Sequence, residues 1–400
     1  MVVLGVLLGL VSVLIWLGIW LHPARPWDFQ PVGDDEPMPS PPHEWPSVCI
    51  LVPARNERDT LPHTLPALLQ QDYSGPLMVV VVDDRSQDGT AEIARALAQE
   101  TGAVDRFHVV EGKDLPAGWV GKVWALEQGA TFALSARHPK YLLLTDADIR
   151  HAPGSLRRLV SESEQRQLAL NSRMARLRCV SQAERLLVPP FVFFFNLLYP
   201  MRQVNDRRGG VAAAAGGCVL LATEALTRAG GFACIRDRII DDVSLARCIK
   251  AQAVPLQLAL SRTEVESLRV YDSVASLWIM VRRTAFTELR YSWVRLAGAV
   301  LGLLLMFFVP PLWLLVGMVW SMMAASGGIA ATSLASVMVG VAGLGAWILM
   351  ARVYQPAVRF FGLSANWVWT LPLAGLLYGG MTVDSALRHI TGMRIGWRDR

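Results

Sequence analysis

Six aspartates and one glutamate fall at places where a bound cation or phosphate would use their charge. Val79–Thr90 reads VVVVDDRSQDGT, a strongly apolar run ending in adjacent carboxylates that repel each other unless positive charge or hydrogen-bond donors lie beside them. Thr145–Asp148 reads TDAD, and Ile239–Asp242 reads IIDD. A D-x-D pair alone is weak, arising by chance about once in a chain of this length. Here it follows an apolar run, and in extended backbone it would project Asp146 and Asp148 to the same side. Mg²⁺ or Mn²⁺ is commonly held by one or two carboxylates, with substrate phosphates completing its shell. Asp148, supported by Asp146, is therefore the expected metal site beside a diphosphate, where the ion would stabilise charge on the leaving group. The alternative is that the pair only caps a helix starting near Pro153. Asp83 and Asp84 could accept hydrogen bonds from a ribose hydroxyl or a base N–H. Asp241 and Asp242 open a helical stretch, where they would either cap it and complement its dipole or include a general base.

The elements that must gather these residues read as an α/β sheet. Apolar strand patterns are expected at Val48–Pro53, Leu77–Asp83, Arg106–Glu111 and Tyr141–Asp146, with helices at Thr60–Gln71, Asp88–Glu100 and Lys122–Ala136. That alternation predicts a largely parallel sheet with helices on its faces. In such sheets ligands bind beyond the carboxyl ends of the strands. Three of these four strands end in acidic groups: Pro53 and Glu57 in PARNE, Asp83 with Asp84, and Asp146 with Asp148. SQDGT reads as a turn with Asp88 or Thr90 as helix cap.

Two further stretches keep two readings each. Leu115–Gly129, LPAGWVGKVWALEQG, lacks the Ser or Thr that a Walker A motif requires after its lysine. Lys122 either neutralises phosphate near a helix N-terminus or is a surface lysine. Gly209–Gly217, GGVAAAAGG, either lets a substrate approach the backbone or forms a tight sheet edge.

Of the 400 residues 53% are hydrophobic, which points to membrane segments. Val2–Leu21 is uncharged and long enough to cross a bilayer, and its flanks do not suit a cleaved signal. Eight prolines between Pro23 and Pro46 mark a spacer. Gly298–Met350 carries no charge and breaks at Gly327-Gly328, giving two further spans, and Phe360–Val383 is a third candidate. Pro310-Pro311 leaves a re-entrant segment open, and with it the span count. Arg25, Arg290 and Arg295 flank the spans so as to place the middle region in the cytoplasm, whereas four spans would send Arg388, Arg394, Arg398 and Arg400 outside. The net charge of +5 is spread without a basic run, so no nucleic-acid partner is expected. Five cysteines without a C-x-x-C pair fit a reduced, cytosol-facing compartment.

In order, PARNE, VVDDRSQDGT, GKVWALEQG, TDAD, the Gly216–Phe232 run with its AGGF, and IDD resemble the metal-dependent family 2 glycosyltransferases of GT-A fold, over roughly Ser47–Arg290. The resemblance implies a Rossmann-like nucleotide-diphospho-sugar transferase fold. It further implies that Glu57 and Asp84 contact nucleoside, that Asp146 and Asp148 hold diphosphate and metal, and that Asp242 is the base of a single inverting displacement. Asp241 takes a place usually held by glutamate. The processive members' Q-x-x-R-W is missing: Met280–Phe286 reads MVRRTAF, leaving Arg282 or Arg283 for diphosphate. LPAGWVGK, ERLLVPPFVFFFNLLYP, VND with AAAAGGC, IIDD and RRTAFTELRYS are more narrowly similar to bacterial hopanoid-associated glycosyltransferases, which implies a lipid or lipid-linked acceptor. Glu184–Met201, apolar and aromatic, either lies in the membrane interface or is buried core.

The expectation is a multi-pass enzyme of the bacterial inner membrane, moving sugar from a nucleotide donor, UDP-linked by preference, to a lipid. The expected division is an anchor over 1–22, a spacer over 23–46, a cytoplasmic GT-A domain over 47–295, membrane segments over 296–384 and a basic tail over 385–400. Rival readings are transfer to a polyprenyl phosphate, and a nucleotide-binding transport or scaffold protein without turnover.

Overall fold

The β-branched runs form the centre of a sheet in a computed structural model of the chain, described over residues 2–31, 37–325 and 333–391. β1 (Val48–Ala54) and β2 (Leu77–Asp83) are buried at every position, as strands covered on both faces must be. With β3 (Phe107–Glu111), β4 (Tyr141–Leu144), β6 (Leu170–Met174), β7 (Val219–Ala222) and β8 (Leu256–Leu260) they make a seven-stranded sheet in the order β3-β2-β1-β4-β7-β6-β8. β3, β2, β1 and β4 run parallel, β7 runs against both β4 and β6, and β6 pairs parallel with β8. A small antiparallel pair, β5 (Ile149–His151) with β9 (Val265–Ser267), stands apart. The first four strands lie within two residues of their expected limits, whereas β6 to β8 were not anticipated.

Two compact units organise the chain. The α/β unit takes 30–178 and 201–270. One face of its sheet packs on helices Leu61–Leu69, Thr90–Glu100 and Ser155–Arg166, the other on Gly121–Ala136 and Asp241–Lys250. Gly129 permits the second contact, since a Cβ there would lie 2.8 Å from Val82 Cγ2. Arg173 on β6 is fully buried and pairs with Glu162 and Glu264, while Arg158 Nε reaches Glu264 at 2.6 Å. From residue 30 on, the proline-rich segment, where described, belongs to this unit: Pro31 bridges to Leu260, and Arg158 Nη1 donates to Pro37 O.

The helical unit takes 1–29, 179–200 and 271–394. Among the described residues three helices are long and apolar enough to cross a membrane, Val3–Leu21, Trp293–Ala325 and Leu334–Phe360. Pro310 and Pro311 do not turn the chain back. A π-helical turn at Leu304–Phe308 precedes them and the helix continues through them. The third expected C-terminal segment is helical over Leu371–Ile390 but carries Asp384 and Arg388, and is not one of the three. Helix Gln182–Leu198 buries Leu187, Val188, Val192 and Phe193 within this unit, the core alternative for that stretch. The Gly327-Gly328 break and Arg394, Arg398 and Arg400 lie outside the described residues.

Candidate active site

The ends of β1 and β4 and the N-termini of two helices meet at one cleft, lined by Pro53, Lys122, Asp146, Gly216, Asp241 and Asp242, with Phe232 and Ile235 as its apolar wall. Its centre is Lys122, on the first turn of helix Gly121–Ala136. Lys122 Nζ lies 2.7 Å from Asp146 Oδ1 and 3.2 Å from Asp241 Oδ2. Burial works against its charge, but Asp146 and Asp241 outweigh burial and hold its pKa above the usual lysine value. It is not a surface lysine. Burial, and after it the neighbouring charge of Asp148, push Asp146 upward against the pull of Lys122.

Asp242 sits in the first turn of helix Asp241–Lys250. Its Oδ2 accepts from Gly216 N at 2.8 Å and its Oδ1 from Val243 N at 2.7 Å. Burial, then Asp241, raise its pKa to about 7, the range that suits a general base at neutral pH. Gly216 is the position that lets these charges close up: a Cβ there would lie 3.3 Å from Asp242 Oδ2 and 3.4 Å from Lys122 Nζ. The glycine run thus admits a carboxylate to the backbone.

The D-x-D pair departs from the expected geometry. β4 ends at Leu144, and Asp146–Ile149 is a turn closed by Ile149 N donating to Asp146 O at 3.1 Å. The two side chains are therefore not successive projections from one strand. Asp146 turns to Lys122, while Asp148 Oδ2 accepts from Ser267 Oγ at 3.2 Å and its carbonyl from Leu268 N. The pair does not cap the next helix, whose first residue is Ser155. Among the described residues no cluster of three or more His, Cys, Asp or Glu side chains forms a metal site. The donor set nevertheless fits a hard divalent ion. Two carboxylates of like charge influence each other, and one already carries an ammonium.

Glu57, Asp83 and Asp84 form a second group at the ends of β1 and β2, and all three are buried. Arg55 Nη1 donates to Asp84 O at 2.7 Å and lies 3.8 Å from its Oδ2. Asp83 Oδ1 accepts from Ser86 N, and Glu57 N donates to Thr90 Oγ1. Gly89, rather than Asp88 or Thr90, is the N-cap of helix Thr90–Glu100, and Asp88 Oδ1 accepts from Thr90 N just before it. Arg282 and Arg283 belong to the helical unit. Arg282 Nη1 lies 3.3 Å from Asp384 Oδ2, which also accepts from Trp278 Nε1, and Arg283 is exposed on the same helix. Sequence reasoning missed Gly216 N and Ser267. Gly216 lay within a run already singled out, whereas Ser267 arrives only through the β5–β9 pairing.

Residues 49–229 match the family model described as Glycosyl transferase family 2. Over that stretch, less than half of the 400 residues, the chain is similar to that family. Asp241 and Asp242 lie just beyond the matched range. A 4,4'-diaponeurosporenoate glycosyltransferase of Staphylococcus aureus is 36% identical over 103 residues, 26% of this chain and 24% of the relative. Its counterpart in Staphylococcus haemolyticus is 38% identical over the same shares. The match thus spans about a quarter of the length of these curated relatives. In fold, the chain resembles a mannosyltransferase of Pyrobaculum calidifontis solved with GDP-Man and Mn²⁺, at 17% identity, TM-score 0.51, covering 97% of this chain and 99% of that one.

Proposed function

We propose that the protein is a membrane-bound inverting glycosyltransferase that moves a sugar from a nucleotide-diphosphate donor, preferentially UDP-linked, to a hydroxyl of a lipid. The observation that carries this reading is Asp242: a half-buried carboxylate, oriented by two backbone N–H groups, its pKa raised to about 7, in one cleft with Asp146 and Lys122. Asp242 takes the proton of the acceptor O–H as that oxygen bonds to the anomeric carbon. The bond from that carbon to the diphosphate breaks, and the nucleoside diphosphate leaves with the electron pair. Lys122 places positive charge where the diphosphate would lie, and Asp241 holds Lys122 in that position. Asp146 and Asp148 would hold Mg²⁺ or Mn²⁺, which neutralises phosphate charge. Glu57, Asp83 and Asp84 are assigned to the nucleoside side, with Pro53 at the boundary between the two groups.

A base is needed for a hydroxyl. A phosphate or a carboxylate is already ionised at neutral pH, and the surplus of acids around Lys122 would repel it. This favours a lipid alcohol, hopanoid-derived in the narrower reading, over the polyprenyl-phosphate alternative. Arg25, Arg290 and Arg295 support a cytoplasmic position for the catalytic unit, in the inner membrane of a bacterium. Three crossings return the chain to that same side, which removes the conflict posed by Arg388.

The test is nucleoside-diphosphate release from a panel of nucleotide sugars, with Mn²⁺ or Mg²⁺ and a bacterial lipid extract, comparing wild type, Asp242→Asn and Asp148→Ala. Metal-dependent release from one donor, lost in both variants, is expected. UDP binding without release from any donor would replace this reading with the non-catalytic one.

A further inference from the structure

Thr145, which itself lines the cleft, and His151 are both almost fully enclosed. Thr145 Oγ1 donates to Gly217 O at 2.9 Å and lies 2.9 Å from His151 Nε2. A hydroxyl has one proton, and a carbonyl can only accept, so the proton between Thr145 and His151 belongs to the imidazole. His151 Nδ1 then faces Ser155 Oγ at 3.3 Å, which in turn lies 3.3 Å from Gln71 Oε1. The chain runs from helix Leu61–Leu69 and its following residues through β5 to the turn at Gly217. The single Ser155 proton goes either to His151 Nδ1 or to Gln71 Oε1, and Gln71 Oε1 accepts from Leu156 N in either case.

Its position gives it a purpose. Thr145 immediately precedes the turn that carries Asp146 and Asp148, and Gly217 immediately follows the residue whose N–H holds Asp242. Ile149 packs against Gly217 from the same side, its Cδ1 lying 3.0 Å from where a Cβ would be. The other end of the glycine turn is fastened separately, by Ala215 N and Cys218 O to Ser172 Oγ. Thr145 is thus the one side chain whose hydrogen bond joins the metal-side turn to the base-side turn among these contacts.

We propose that Thr145, held by His151, is a positioning residue that sets the separation between the Asp146–Asp148 turn and the Asp242 base. The proposal rests on the catalytic reading above for its kinetic consequence but not for its structural one. A valine at 145 keeps the shape and loses both hydrogen bonds, whereas a serine keeps both. The full chain in detergent is compared as wild type, Thr145→Val, Thr145→Ser and His151→Phe, by hydrogen exchange over the 145–151 and 213–219 peptides and by kinetics with Mn²⁺ and the active donor.

Thr145→Val and His151→Phe should exchange faster in both peptides together and lose about tenfold or more in kcat, with donor KM within about twofold of wild type. Thr145→Ser should stay near wild type in both measurements. Unchanged exchange in Thr145→Val, or a Thr145→Ser as impaired as Thr145→Val, would overturn the proposal. If wild type turns over no donor, the catalytic reading fails while the exchange data still judge the link. A variant too unstable to purify is replaced by Thr145→Ala, whose exchange pattern must then match the same expectation.

Discussion

The charge arrangement around Asp242 makes a signed prediction about pH. With a midpoint of about 7, the carboxylate is about nine-tenths ionised at pH 8, about a tenth at pH 6 and about a hundredth at pH 5. Because only the ionised form accepts a proton, kcat/KM should fall about tenfold from pH 8 to pH 6, and about tenfold again to pH 5. Two substitutions should move that midpoint in opposite directions. Asp241 raises the pKa of Asp242 and Lys122 lowers it. Asp241→Asn should therefore carry the acid limb to lower pH, and Lys122→Met should carry it to higher pH. The assay is initial-rate nucleoside-diphosphate release at subsaturating donor, from pH 5 to 9 at constant ionic strength. A flat profile, or two variants shifting the same way, would refute the assignment of Asp242 as base and of Lys122 as its counter-charge.

The same group links pH to stability. Its folded pKa is raised, so the folded state holds a proton that the unfolded chain gives up. The stabilisation is full below the unfolded carboxylate range and is lost as pH rises through about 7. Thermal unfolding of wild type should thus fall in Tm between pH 5 and 8, and Asp242→Asn should flatten that slope. Arg173→Met takes the ion-pair partner from Glu162 and leaves Glu264 to Arg158, and should cost about 3–5 kcal/mol, read by thermal or denaturant unfolding. At Gly112 a Cβ would lie 2.9 Å from Asp83 O and 3.0 Å from Asp84 Cα, both on the backbone. Gly112→Ala should displace the nucleoside side and raise donor KM between about tenfold and a hundredfold, with kcat less affected.

The parallel half of the sheet was legible because β1 and β2 are continuous apolar runs with turn residues at both ends, a pattern set by burial on both faces. The antiparallel half was not. β6 reads LNSRM, and its polar residues are buried only because Asn171 and Arg173 find Glu162 across the fold. β7 has four residues and follows a glycine run that hides its start. The site divides in the same way. Asp146, Asp148, Asp241 and Asp242 stand out by residue type and spacing. Lys122 could be named but not placed, since nothing local says that two acids from distant segments will close on it. The D-x-D pair was read as strand because apolar residues lead into it, and the turn that separates its side chains is fixed by Thr145 N bonding Leu51 O and by β9, which are tertiary facts.

The shared contact of Lys122 with Asp146 and Asp241 also bears on how this sequence can drift. One cation faces two anions contributed by segments almost a hundred positions apart, so loss of the lysine alone would leave both aspartates without that counter-charge. Among descendants of this chain, loss of the lysine should be accompanied by loss or neutralisation of one aspartate. Asp242, oriented by backbone N–H groups, feels the same lysine's charge, so losing the lysine would also raise its pKa.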